Sequence, residues 1–259
     1  VGVPTADRAE IRSLVEMLEG TPLAIELAAA RTRLMPLQEI RRRLSTDLRI
    51  LGGGGGDRPE RHRSVEGSLQ WSWGLLSAPA RQALAQLSVF DGGFGLPAAC
   101  AVLDGAWAAL DLLQELVEAS LVRVDPEDAR FSMLVVVQQF ASRKLTGADR
   151  AATETRHGAY FAQYGSPEAL ATLAGPTGTE RIWLLVAELD NVVAACRRAV
   201  LHGNAATATA TALAAWAVYG IRGPFTAGIS LLEAVEGMGA LSPLERGKVG
   251  EAHAHACYS

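Results

Sequence analysis

Cysteine is scarce in this 259-residue chain: Cys100, Cys196 and Cys257 lie far apart, with no Cys-x-x-Cys pair. Such an odd, sparse set excludes a disulfide framework and fits a reducing cytoplasm. Long apolar runs are missing too. The most apolar window, Ala205 to Tyr219, is short and rich in Ala and Thr. It falls below the ~20 strongly apolar residues of a membrane span, so no membrane contact is expected. No basic-then-apolar leader opens the chain. Positive charge is not in excess: 24 Lys and Arg against 28 Asp and Glu leave a net −4. That argues against a dedicated nucleic-acid binder, which carries a basic face. What is abundant is apolar content, at 49%. It excludes disorder over most of the chain and supplies a packed core for one to two or more domains. The chain opens on Val1 and closes on Ser259 inside a helical pattern, so it reads as a piece of a longer protein.

Periodicity is mostly helical. Residues 7 to 19 form an apolar stripe through Ile11, Leu14, Val15 and Leu18, with Asp7 as cap and Gly20 as stop. Thr21 and Pro22 open a second helix over Leu23 to Arg31, and a third begins at Pro36. Five glycines, Gly52 to Gly56, then cost too much backbone entropy to sit in an element and mark a boundary. From Ser64 a helix carries Val65, Leu69, Trp73 and Leu76. Ser77 caps the next one, Asp91-Gly92-Gly93 turns, Leu96-Pro97 opens a short helix, and Trp107 to Ala119 forms another. Leu121 to Val124 and Arg130 to Met133 are β-like runs joined by Asp125-Pro126-Glu127-Asp128, which is good turn chemistry. Helices followed by a hairpin describe a winged helix. Leu134 to Leu145 returns to helix. Further helices are expected at 150–164, 179–201, 205–219 and 225–236. At Ser242-Pro243-Leu244-Glu245 a capping box starts the last one. Short loops between these helices suggest a repeat array, though no clean 34-residue consensus is present.

Several of these segments resemble one family, in order. Gly20 to Arg31 is similar to the "G-L-P-L-A-I-E-L-A-A-A-R" segment of bacterial STAND-class signal-transduction ATPases. These are NB-ARC-related switches that include LuxR-type ATPase regulators. Arg61 to Ser64, Leu69 to Trp73 and Leu75-Leu76 resemble the start of that family's winged helix. Leu87 to Phe94 looks like its "L-S-V-F-x-G-G-F" turn, and Leu113 to Val122, Phe131 to Leu134 and Gln139 to Ala141 look like the remainder. Glu188 with Asp190-Asn191 is similar to the start of its tetratricopeptide-like repeats. One departure is Leu134-Val135-Val136, where the family usually reads Leu-Glu-Thr, which puts any charge contact there in doubt.

The resemblance implies a mainly α chain: a helical lid end at 1–50, a Gly-rich linker at 51–63, a winged helix at 64–146 and antiparallel helical repeats at 147–259. It also implies an ATP-dependent switch. A P-loop domain upstream in the same chain binds ATP or ADP, the winged helix packs on it, and the repeats sense a protein or small-molecule effector. The P-loop string G-x-x-x-x-G-K-[ST] is absent here, as is a Walker-B-like run, so this piece alone is expected to lack ATPase activity and to bind no nucleotide tightly.

The candidate sites follow. Gly20, Thr21 and Pro22 lie near the nucleotide by resemblance, because a helix start offers free N–H groups and a positive dipole end; the plainer reading is a tight helix–helix turn. Arg41, Arg42, Arg43, Arg49, Arg58, Arg61 and Arg63 face only Asp47, Asp57 and Glu60. They suit phosphate, but glycine breaks the face and no aromatic interleaves, so a solvated helix end is expected. The would-be recognition helix shows Asp111, Gln114, Glu115 and Glu118, and the hairpin adds Asp125, Glu127 and Asp128 against Arg123 and Arg130. Between residues 66 and 145 nine acids outnumber five bases. A phosphate-lined groove repels such a face, so direct DNA contact is not expected, although the winged-helix analogy favours it. His253, His255 and Cys257 do not converge on one helix face, and no metal site is expected. No catalytic triad or dyad stands out. Gly52 to Gly56 reads equally as a hinge or as a slack loop. The expected function is thus a regulatory fragment of a signalling switch. The alternatives are a DNA-binding winged-helix regulator and a stand-alone helical scaffold that binds peptides.

Overall fold

The computed structural model describes residues 5–17, 25, 28, 32, 36–44, 65–103 and 106–258. Gly20, Thr21, Pro22 and the Gly52–Gly56 run lie outside them, and of the second expected helix only Ile25 and Ala28 are described, both helical. The chain is mainly helical, with a two-stranded hairpin among the described residues. In order run α1 (Thr5–Met17), α2 (Leu37–Leu44), α3 (Val65–Leu75), α4 (Ala78–Leu87), α5 (Leu96–Leu103) and α6 (Ala106–Glu118). The hairpin β1 (Arg123–Asp125) and β2 (Arg130–Ser132) precedes α7 (Val135–Ser142) and α8 (Gly147–Ala162). A 3₁₀ turn (Gln163–Gly165) leads to α9 (Pro167–Thr172), α10 (Gly178–Ala187), α11 (Leu189–Leu201), α12 (Ala205–Arg222), α13 (Phe225–Glu236) and α14 (Pro243–Tyr258). Two compact units result. One draws on residues 1–88, 110–124 and 132–145, the other on 89–109, 125–131 and 146–259.

In the first unit α1 begins at Thr5, so Asp7 lies inside the helix and does not cap it. Arg41 pairs with Glu10 at 3.2 Å and Arg42 with Glu39 at 2.8 Å. Two arginines of the basic stretch are therefore matched by acids outside the linker region. Ser77 does cap α4: its Oγ accepts from Ala80 N at 3.2 Å. Its own N–H and O–H donate to the Glu115 carboxylate of α6 at 2.8 and 2.9 Å, which ties two helices through one cap. Leu84, Leu87, Leu113, Leu116 and Phe140 are buried. Trp73 meets Phe140 edge-on at 5.8 Å, and the Lys144 ammonium lies over both rings.

The first β-run is displaced from its expected place. Leu121 and Val122 are buried, but both donate their N–H back to Leu116 O, at 3.0 and 3.2 Å, with Ser120 in the left-handed region at φ 58°. They terminate α6 and cannot also serve a ladder. The strand starts two residues later, and Ala129 at φ 52° closes the turn. Helix α7 is shorter than the expected 134–145 segment: its last turn ends as Lys144 N bonds to Ala141 O and Leu145 N to Ser142 O. Val136 turns inward and Val135 outward, so one residue of the apolar departure joins the core.

In the second unit the expected helix 179–201 is two helices, broken at Glu188 (φ −102°, ψ 2°). Neighbouring helices pack on each other, and α10, α11 and α12 each also touch the helix two further on. That is the contact pattern of a two-layered helical array. Asn204 caps α12 by accepting from Thr207 N at 3.1 Å. The capping box of α14 closes from both sides: Ser242 N donates to Glu245 and Glu245 N to Ser242 Oγ. Gly165 is a packing requirement, because a Cβ there would lie 1.7 Å from Ala210 O of α12. Buried Cys196 donates to Ala208 O at 3.5 Å, and burial pushes its thiol up to about 11.

Candidate functional site

The densest polar cluster among the described residues joins the Val89–Phe94 turn, strand β2 and the start of α11. The turn is made by Gly92 at φ +80°, a conformation L side chains rarely adopt. Phe94 then pairs with Phe131 through both backbone bonds, each 2.8 Å, so the turn adds itself to the hairpin. These pairings leave carbonyls and N–H groups inside the protein that need partners.

Side chains from the two sides supply them. Arg130 donates to Gly93 O at 2.9 Å, to Ala187 O at 3.1 Å, and to the Glu188 carboxylate. Asn191 donates to Gly93 O at 2.9 Å and to Glu188 at 3.1 Å, and accepts from Asp91 N at 2.9 Å. Gly93 O thus receives two donors. Two turns further along α11, Arg198 donates to Val89 O at 2.7 Å and approaches Asp91 at 4.0 Å. Glu188 is 7% and Asn191 1% exposed, so the bond between them forms away from water, while Arg130 reaches them from a half-buried position. Their hydrogen bonding offsets the cost of burial. The bond to Glu188 raises the Arg130 pKa further, against desolvation.

Beside this joint lies an aromatic cluster. Phe90 stacks on Phe94 at 4.3 Å, and His157 meets Phe90 edge-on at 5.2 Å and lies 4.7 Å from Phe161. His157 is fully buried, and neither ring nitrogen has a hydrogen-bond partner among the described residues. Burial, helped by the Arg198 charge, pulls its pKa down to about 3, so the ring is neutral. Asn191 acts in the opposite direction without overcoming these two effects.

The structure does not gather the sequence candidates into a site. Gly20, Thr21 and Pro22 lie outside the described residues, as do Arg49, Arg58, Arg61 and Arg63. His253 is held by Glu236 of α13 at 2.8 Å, and no group of three metal-ligating side chains occurs among the described residues. On α6, Glu115 is used by Ser77 and Gln114 donates to Glu118 at 2.9 Å, leaving an acidic solvent face. The joint itself unites two segments read separately in the sequence, Leu87 to Phe94 and Glu188 to Asn191. Arg130, the residue that connects them, was read only as a hairpin charge. No described helix is long and apolar enough to cross a membrane.

No family model matches the chain. A Mycobacterium tuberculosis protein named "Putative HTH-type transcriptional regulator" is 33% identical over 196 residues, which cover 72% of this chain and 22% of that protein. A Mycobacterium bovis protein of the same designation matches equally. A second M. tuberculosis protein, named as uncharacterized, is 36% identical over 149 residues, covering 54% of this chain and 38% of its own length. The chain therefore spans about a fifth of the length of the regulators it matches.

Proposed function

We propose that this chain is a regulatory segment of a transcriptional regulator, in which the joint makes the Val89–Phe94 turn, Arg130 and the helical array move as one piece. The observation that carries the reading is the half-buried set of bonds among Arg130, Glu188, Asn191 and the Val89–Gly93 backbone. A joint cross-linked by several such bonds transmits displacement and does not absorb it. The names of the mycobacterial relatives support transcription as the output. The acidic face of α6 supports a packing role for that helix over groove reading.

The family resemblance extends the proposal to the parent protein. There, an upstream P-loop domain holding ATP or ADP sets the position of this segment, Gly20, Thr21 and Pro22 lie near the nucleotide, and an effector acts on the array in the cytoplasm. Nucleotide chemistry is assigned to that upstream domain, since this chain contains no P-loop string. The relatives' designation favours a second reading, in which the hairpin and α6 read DNA directly.

Two measurements separate them. A mobility-shift assay of the chain at moderate salt is expected to show no tight, sequence-specific duplex binding. Binding that disappears on changing Asp111, Gln114 and Glu118 would establish the second reading instead. In the parent regulator, the double variant Arg130→Met, Glu188→Leu, which removes the ion pair without stranding a buried carboxylate, is expected to uncouple effector from promoter output; unchanged regulation would remove the joint from the mechanism.

A further inference from the structure

A cleft of about 400 Å³ opens in the helical array between α9, α12 and α14. Its inner wall is apolar: Pro167, Leu170, Leu213 and Trp216. Glycines fix that wall. Gly165 brings the 3₁₀ turn onto the α12 backbone, and a Cβ on Gly228 of α13 would lie 2.7 Å from the Trp216 ring, so the indole lies close to α13 where that helix carries no side chain. The opposite wall differs in kind. Lys248, Glu251, Ala252 and His255 of α14 line it at i, i+3, i+4 and i+7, the stripe by which a helix normally buries apolar residues. Lys248 and Glu251 carry opposite charges three residues apart, a spacing at which such pairs commonly close. Here no hydrogen bond or ion pair joins either to a described residue, although Lys248 acts on Glu245 through its field.

We propose that this cleft is a binding site for a free aromatic amino acid. The ring lies on Trp216 between Leu170 and Leu213, the carboxylate faces Lys248, and the ammonium faces Glu251. The volume falls in the range of small-molecule sites, roughly 300 to 1,000 Å³, and an apolar wall with a few placed polar groups is their usual composition. Two opposite charges along one stripe, neither hydrogen-bonded nor ion-paired to a described residue, match a zwitterionic head; a plain fatty or aromatic acid would leave Glu251 unmatched. The proposal rests on reading the array as a sensor only for the use made of the ligand; the binding itself is a property of this chain.

The test is titration calorimetry on the whole chain with L-phenylalanine and L-tryptophan, and with two blocked forms, N-acetyl-phenylalanine and phenylalanine amide. The free amino acids are expected to bind, and each blocked form to bind about tenfold more weakly, the cost of one charged hydrogen bond. Glu251→Gln is expected to weaken L-phenylalanine about tenfold and to leave N-acetyl-phenylalanine unchanged. Lys248→Met is expected to do the same with phenylalanine amide. Both side chains sit at the cleft rim, so circular dichroism melts serve to confirm that the variants fold. No heat with either amino acid at millimolar concentration overturns the site, as does binding indifferent to both substitutions. Either failure leaves the joint and its role in the regulator standing, because those are read from promoter output.

Discussion

The joint and the cleft lie in the same helical unit and treat polar atoms in opposite ways. At the joint, Arg130, Glu188 and Asn191 are drawn inside, and each is bonded to backbone or to one another. At the cleft, Lys248 and Glu251 stand at the rim and neither hydrogen-bonds or ion-pairs with a described residue. Buried, satisfied groups hold a structure in one arrangement, whereas groups left unmatched beside an apolar wall suit a partner from outside. Deleting a charge should therefore damage folding at the first place and leave it unaffected at the second.

The largest effect is expected from Arg130→Met, which leaves Glu188 charged and buried without its main partner. Urea denaturation should show a loss of about 3 kcal/mol. The double variant Arg130→Met, Glu188→Leu should recover most of it, and a double variant no better than the single one would show that the arginine acts by other means. Acidification gives the next effect. His157 has a folded pKa of about 3 against an ordinary 6.5. Between those values the unfolded chain holds a proton that the folded chain refuses, so stability falls as pH drops from about 6.5 towards 3 and is complete above 6.5. From pH 6.5 down to 4, the lower end of the melts, the loss reaches about 3 kcal/mol. His157→Leu should flatten this limb in melts between pH 4 and 7; an unchanged slope would assign it to other groups.

Smaller effects sharpen the contrast on the cleft side. Gly228→Ala pushes a methyl into the Trp216 ring and should cost about 1–3 kcal/mol while distorting the apolar wall. Ser242→Ala removes half of the capping box of α14 and should cost about 1 kcal/mol. Lys248→Met should change stability by no more than about 0.5 kcal/mol. A larger loss on removing Lys248 would mean that the rim charge is structural and the contrast fails.

The elements legible in the sequence were those with local signals. Ser77 and Ser242 were readable as caps because the hydroxyl, proline and carboxylate that make them lie within four residues. The break at Glu188 was not, because its apolar register runs unbroken from Leu185 to Cys196 and the residue that turns the Glu188 side chain aside, Arg130, is 58 positions away. The shift of β1 failed for a related reason: Leu121 and Val122 look like strand, but the end of α6 claims their N–H groups first. The joint's two halves were each visible by resemblance, yet nothing in either half names the other. The cleft is not legible in the sequence, since it depends on Gly165 meeting Ala210, 45 residues away, and on Gly228 meeting the Trp216 ring of the preceding helix.

Buried Cys196 gives this molecule an internal clock. Its thiol sits with Ala208 O between α11 and α12 and is held protonated well above neutral pH, whereas Cys100 is part-exposed. Thiol reagents act on the thiolate, so at pH 7 to 8 modification of Cys196 waits for these helices to part. The ratio of its labelling rate to that of an unfolded peptide measures the opening equilibrium of the array, without denaturant. The same measurement with and without an amino acid in solution would report, as a change in seconds or hours, how far occupation of a distant cleft steadies the helices that carry the joint.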